Sequence, residues 1–175
     1  GISGKDGRLM AAEQAKPDGK DIGYVGTVKH VDTKIIYDLL DDDFLPIIYP
    51  IGIGEDGQSF NINGDYAAEA IAEALKADKL AFLTDTSGVY EDINDEDSFV
   101  SELYTDEAKE MIEEGIITGG MIPKVQNCLK AIEGGVNRVH ILDGRIPHCL
   151  LLEIFTDRGC GTAIMNPEET RYYNQ

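Results

Sequence analysis

Short apolar runs of strand length alternate along this chain with segments of helical period. That alternation constrains the fold more than any other feature. Leu45-Pro46-Ile47-Ile48-Tyr49-Pro50-Ile51 is nearly continuous in apolar residues, and Lys79 to Thr84 forms a second such run. Runs of this kind are expected of strands buried on both faces of a layered sheet. Between them, Ala67, Ala68, Ile71, Ala72 and Leu75 fall on one face of a helix predicted over Tyr66 to Ala77. Asp32 is placed to cap a helix whose apolar face is Ile35, Ile36, Leu39 and Leu40. Strands are also predicted over Leu9–Ala12, Tyr24–Val31, Val136–Leu142 and Gly161–Met165, and helices over Thr105–Glu114, Pro123–Glu133 and Pro147–Phe155. Alternation of this sort argues an α/β fold, a three-layer αβα sandwich around a mainly parallel sheet.

The chain has 175 residues, enough for one sizeable domain, and an ordinary globular composition. Its formal net charge is -18. A surface so acidic argues against nucleic acid and anionic membranes as partners, because phosphate backbones are bound by basic surfaces. A phosphorylated ligand would need a local site where Lys and backbone N–H groups concentrate. No run reaches the roughly 18 apolar residues that a membrane span needs, and the polar start Gly1 to Gly7 is unlike a signal peptide. Cys128, Cys149 and Cys160 form no CxxC pair. A reduced cytoplasmic setting is expected. Gly1 opens inside a glycine-rich loop, as expected of a processed or fragmentary chain.

Four stretches bear on chemistry. Gly52-Ile53-Gly54-Glu55-Asp56-Gly57 matches G-x-G-x-x-G. A dinucleotide fingerprint, however, must open a helix. The residues that follow look extended, and Glu55 and Asp56 would repel phosphate. A hairpin turn is expected instead. In Asn61-Ile62-Asn63-Gly64-Asp65, the two asparagines point to one side of an extended segment, and Asp65 then opens a helix, where the dipole favours a carboxylate. Simple capping and a polar site both account for that stretch.

The third stretch is Gly119-Gly120-Met121-Ile122-Pro123-Lys124, two glycines ahead of a helix with proline in its first turn. Backbone N–H groups at such an end can hold phosphate. Lys124 opposes the helix dipole there at a cost of about 0.3–1 kcal/mol, which a bound anion would reverse; a lysine reaching into solvent is the alternative. The fourth is the polar loop Asp85-Thr86-Ser87-Gly88-Val89-Tyr90, which follows a strand, where ligands of open α/β sheets bind. The three histidines do not form a metal site, since His140, Asp143 and His148 lack the required spacing.

Taken in order, these stretches resemble the acetylglutamate kinases of the amino acid kinase superfamily. The matching pieces are Gly1–Gly7, Asn61–Asp65, Leu83-Thr84-Asp85 with Gly88-Val89, and Gly115-Ile116-Ile117 running into Gly119–Lys124. His140–Arg145, Leu151–Thr156 and Gly159-Cys160-Gly161-Thr162 complete the set.

The resemblance implies a nucleotide-binding lobe spanning 1–175, with the family's N-terminal substrate and dimerisation lobe absent. The implied reaction moves the γ-phosphoryl group of ATP to the side-chain carboxylate of N-acetyl-L-glutamate, in arginine biosynthesis. Mg2+ would be held mainly through the phosphates. Lys124 resembles the lysine that stabilises the transferring group, Asp65 the aspartate that positions catalytic lysines, and Asn61 a contact to acetylglutamate. Asp85, Thr86, Ser87, Gly88, Val89, Tyr90, Ile116, Ile117, Thr118, Gly120 and Met121 resemble ATP/ADP contacts. His140, Glu153 and Gly159 resemble the L-arginine site of the feedback-inhibited branch, whose members are dimers or hexamers. Without its N-terminal lobe, the chain is expected to bind nucleotide and turn over poorly. A non-catalytic nucleotide- or arginine-sensing module, or another amino acid kinase, is the alternative.

Overall fold

Residues 1–156 and 159–168 are described in a computed structural model of the chain. They fall into two compact units, Gly1–Leu75 and Lys76–Gln175, where the sequence reading has a single lobe. The fold class is α/β, with helices and strands mixed in each unit.

The first unit contains β1 (Ile2–Ser3), β2 (Met10–Gln14), β3 (Gly26–Val31), α1 (Lys34–Asp41), β4 (Ile48–Tyr49), β5 (Ile51–Ile53), β6 (Ser59–Asn61) and α2 (Gly64–Leu75). Its main sheet has the order β3-β2-β5-β6. Strand β2 runs antiparallel to β3 and parallel to β5, and β5–β6 is an antiparallel hairpin. Leu9, Met10, Ile36, Phe60, Ile62 and Ala67 form the core.

Glycines 52–57 lie in the β5–β6 hairpin and its turn, as the sequence implied. The turn is closed by Gly54 N–H donating to Gln58 O at 2.8 Å, and by Gln58 N–H donating to Asp56 Oδ1 at 2.9 Å.

Two expectations change in this unit. Helix α1 starts one residue later than the cap residue implied, with Thr33 at the boundary making no side-chain bond, while Asp32 supplies the capping acceptor, its Oδ1 taking the Lys34 N–H at 3.0 Å. The apolar run Leu45–Ile51 is two short strands and not one buried one. Leu45 is 84% exposed, Ile47 60% and Tyr49 56%. Pro50 has no N–H for a ladder, so the run breaks there, and β4 has only the two residues of β1 to pair with.

The second unit contains β7 (Lys79–Thr84), β8 (Val89–Tyr90), β9 (Phe99–Val100), β10 (Glu102–Tyr104), α3 (Thr105–Glu113), α4 (Met121–Glu133), β11 (Arg138–Asp143), α5 (Cys149–Phe155) and β12 (Gly161–Met165). Its sheet has the order β10-β12-β11-β7. The β10–β12 and β11–β7 pairs are parallel, and β11–β12 is antiparallel. All residues of β11 and β12 are buried, and Val125, Cys128, Leu129 and Ile132 of α4 pack over them. Strand β7 is an edge of this sheet and only partly buried, with Leu83 53% exposed. Its apolar run had read as buried on both faces; the face carrying Lys79, Ala81 and Leu83 is more open than the face carrying Leu80, Phe82 and Thr84.

The charges inside this unit are paired. Arg138 and Glu102, each under 10% exposed, approach to 3.9 Å. No described helix is long and apolar enough to cross a membrane.

Candidate active site

In the first unit, the strand-to-helix junction β6–α2 carries Asn61, Asn63 and Asp65. Ile62 between the asparagines is buried while both asparagines are exposed, as alternation in an extended segment dictates. Asn63 is the cap of α2. Its Oδ1 accepts the Asp65 N–H at 2.9 Å and the Tyr66 N–H at 3.4 Å. Capping therefore accounts for Asn63 alone. The Asn61 side chain is exposed at the end of β6, and Asp65 is half-buried in the first turn of α2.

In the second unit, the polar loop from Asp85 to Tyr90 leaves the carboxyl end of β7. Thr84 Oγ1 accepts the Thr86 N–H at 3.0 Å and lies 2.8 Å from Thr86 Oγ1. The loop ends in a buried anchor: Val89 N–H donates to Thr162 Oγ1 at 2.8 Å, and that hydroxyl donates to Val100 O at 2.6 Å. Gly88 is required there. Its φ is +134°, and a Cβ would come within 2.6 Å of Thr162 Oγ1 and 2.9 Å of the Phe99 ring. Asp85 is exposed, Thr86 and Ser87 are half-buried, and Gly88 and Val89 are buried. Tyr90 packs edge-on against Phe99, ring centres 5.2 Å apart.

The segment before α4 turns tightly. Ile117 is buried in the core, whereas Ile116 and Thr118 are exposed. Any contact from Ile117 to a ligand falls to its backbone. Met121 N–H donates to Thr118 O at 3.2 Å and Ile122 N–H to Gly119 O at 3.3 Å. Pro123 has no N–H to offer. Among the described residues, the donors at this helix start that find no acceptor include the N–H groups of Thr118, Gly119 and Gly120, and the half-buried Lys124 ammonium stands beside them. Gly119 has φ +56°, which explains its glycine. Gly120 has an ordinary helical backbone and open space where a Cβ would stand. Nothing among the described residues demands a glycine at 120. A phosphorylated ligand lying against the backbone supplies a reason, so the cradle fits such a group.

His140 and Glu153 form a buried pair, Nδ1 to Oε1 at 2.7 Å, and Cys160 N–H donates to the other carboxylate oxygen at 2.7 Å. Burial pushes the Glu153 carboxyl up; the bonds from His140 and Cys160 outweigh it and hold the group below its ordinary value. His140 Nε2 is buried with no hydrogen-bond partner among the described residues. Gly159 follows with φ +57°. Burial, and then the charge of Glu153, push the Cys160 thiol above its ordinary value. Among the described residues, no three His, Cys, Asp or Glu side chains gather into a group that could hold a metal ion.

The family model described as "Amino acid kinase family" matches residues 1–143. The chain belongs to the amino acid kinase family. An acetylglutamate kinase of Syntrophomonas wolfei subsp. wolfei is 52% identical over 166 residues, which is 95% of this chain and 58% of that protein. The chain spans between 54% and 59% of the length of the curated relatives it matches. Among solved structures, the N-acetylglutamate synthase of Neisseria gonorrhoeae complexed with coenzyme A and L-arginine aligns with a TM-score of 0.78 at 31% identity. That match covers 93% of this chain and 37% of that one. A Giardia carbamate kinase matches at TM-score 0.62 and 21% identity, over 81% of this chain and 51% of that one, a likeness of fold alone.

Sequence reasoning passed over two features of this amino acid kinase segment. One is Thr162, a hydroxyl inside a fully buried strand, which no periodicity marks. The other is the Asp143–Arg145 ion pair, visible only as two charges two residues apart in a turn.

Proposed function

We propose that this chain is the ATP-binding portion of an acetylglutamate kinase, moving the γ-phosphoryl group of ATP to the side-chain carboxylate of N-acetyl-L-glutamate. One observation carries the reading: Lys124 stands in the first turn of α4, behind a glycine at 120 that the protein's own packing does not require. The identity to acetylglutamate kinases across nearly the whole chain supports the choice of acceptor.

In this reading, the Gly119 and Gly120 N–H groups and the Lys124 ammonium meet the phosphates. The acceptor carboxylate oxygen attacks the γ-phosphorus in line, and the bond to the leaving ADP oxygen breaks. Lys124 stabilises charge on the transferring oxygens, as a preorganised cation does in phosphoryl transfer. Mg2+ would be held mainly through the phosphates of ATP and would supply neutralisation of part of their charge. Asn61 contacts the acceptor, and Asp65 has a positioning role. The loop 85–90, Ile116–Thr118 and Met121 line the nucleotide. The intact protein is a cytoplasmic homo-oligomer in this proposal, and the 175-residue segment by itself binds nucleotide and turns over poorly.

Calorimetry with Mg2+-ADP tests it. Binding at micromolar to millimolar concentration, weakened by Lys124→Ala, is the expected result. Absence of binding at millimolar nucleotide would sink the proposal.

A second role rests on the His140–Glu153 pair. With Gly159, it is proposed to hold L-arginine as a feedback inhibitor of the intact enzyme, a reading in keeping with the likeness to a synthase crystallised with L-arginine. A full-length enzyme that keeps its activity in millimolar arginine would end it. Stabilisation by arginine with none by ATP would instead favour a sensing module.

A further inference from the structure

The carboxyl ends of β7 and β11 carry an ion pair to which the reading above gives no task. Asp143 closes β11 in register with Thr84, the last residue of β7. Its carboxylate takes Arg145 on both oxygens, Nε to Oδ1 at 2.8 Å and Nη2 to Oδ2 at 2.7 Å, and also accepts the Arg145 N–H at 2.9 Å. The Asp143 side chain is 7% exposed and that of Arg145 64%. A buried acid thus pins a solvent-facing guanidinium in a two-pronged geometry that only arginine can make. Apolar residues in place of a buried ion pair are often neutral for stability, so stability alone is a poor account of the arrangement.

The same carboxylate reaches the polar loop. Ser87 Oγ lies 3.5 Å from Asp143 Oδ2, and Gly144 N–H donates to Thr84 O at 2.8 Å. A Cβ on Gly144 would stand 3.3 Å from that Thr84 oxygen, so the two strand ends are pressed together. Asp85, first residue of the loop, also acts electrostatically on Arg145. The pair therefore meets the loop at Ser87, while Thr162 holds it at Val89.

We propose that Arg145 is a positioning residue for the nucleotide: by clamping Asp143 it fixes the Thr84–Gly88 loop in the form that receives a nucleoside polyphosphate. This rests on the nucleotide reading of that loop. Without the guanidinium, the Asp143 carboxylate loses its partner and is left to draw the Ser87 hydroxyl and the neighbouring backbone to itself, which moves the surface the nucleotide meets.

The test uses the full-length protein and ADP. Arg145→Met is expected to weaken ADP at least tenfold in calorimetry. Arg145→Lys should lose nearly as much, because an ammonium cannot bridge both oxygens. Because Arg145→Met leaves the Asp143 carboxylate without its partner, the melting temperature without nucleotide should also fall at neutral pH, and the positioning role is read from the split between the two KM values. In steady state the KM for ATP should rise while the KM for the acceptor and kcat hold. Combining Ser87→Ala with Arg145→Met should cost no more than twofold beyond Arg145→Met alone, since both act through one carboxylate. The proposal is overturned if Arg145→Met binds ADP within twofold of wild type, if both KM values rise together, or if the two substitutions multiply. A wild-type protein that binds no ADP overturns the nucleotide reading itself and this inference with it.

Discussion

Thr162 Oγ1 accepts the N–H of Val89 at 2.8 Å across 73 residues of sequence, while its own proton goes to Val100 O at 2.6 Å. One hydroxyl thereby satisfies two buried backbone groups from different segments. Thr162→Val keeps the shape and removes both bonds, leaving a buried N–H and a carbonyl unpaired. The expected loss is about 1–3 kcal/mol of stability, read from urea unfolding midpoints. A midpoint equal to wild type would mean that the loop is held by something else.

Lys124→Ala separates binding from stability. ADP affinity should fall at least tenfold by calorimetry. Stability without nucleotide should hold or rise slightly, since an ammonium in a first helical turn opposes the dipole by about 0.3–1 kcal/mol. A parallel drop in both would place Lys124 among structural residues.

The two asparagines of the β6–α2 junction should part company. Asn63→Ala removes the cap of α2 and should lower stability by about 0.5–2 kcal/mol. Asn61→Ala touches no cap and should leave unfolding unchanged while raising the KM for acetylglutamate in the full-length enzyme. Denaturation and steady-state assays on the two variants, side by side, check this.

Acid should loosen the second unit in a defined window. Hydrogen bonds from the Arg145 side chain, then from its backbone, hold the Asp143 carboxyl at about 2, against an ordinary 3.8. A group whose pKa is depressed on folding contributes stability that is full above its unfolded value and lost as pH falls through the folded one. Glu153, also lowered, acts with the same sign. The melting temperature should therefore fall between about pH 4 and pH 2, and less steeply in Asp143→Asn. Equal slopes for the two proteins would refute the assignment.

Much of this architecture was legible from period and composition. Gly161–Met165 and Lys79–Thr84 are strands with the bounds read from sequence, because apolar runs between turn-forming residues have few other uses. Helix α4 begins at Met121, two residues before the proline that seemed to mark its start; Met121 and Ile122 close tight i→i−3 bonds first. Strands β8, β9 and β10 have two or three residues each, too few to show a period. The exposure of Leu45, Ile47 and Tyr49 was beyond reach, because apolar character states what a residue favours and not which partners are present to cover it. At the candidate site, Lys124 stood out through a conflict with the helix dipole. Asp143 and Thr162 conflict with nothing locally, and their roles exist only once distant strands are brought side by side.

The open space beside Gly120 has a bearing on how variants of this protein would be sorted. A methyl group there meets no atom of the described residues within 4 Å and sits on an ordinary helical backbone. Gly120→Ala would pass unnoticed in any screen that ranks sequences by abundance, solubility or heat resistance. If the proposed phosphate contact at Gly120 holds, selection for growth that depends on acetylglutamate kinase activity of the intact protein would reject the same allele. A position on which those two screens disagree marks where the chain is shaped by its ligand and not by its own folding.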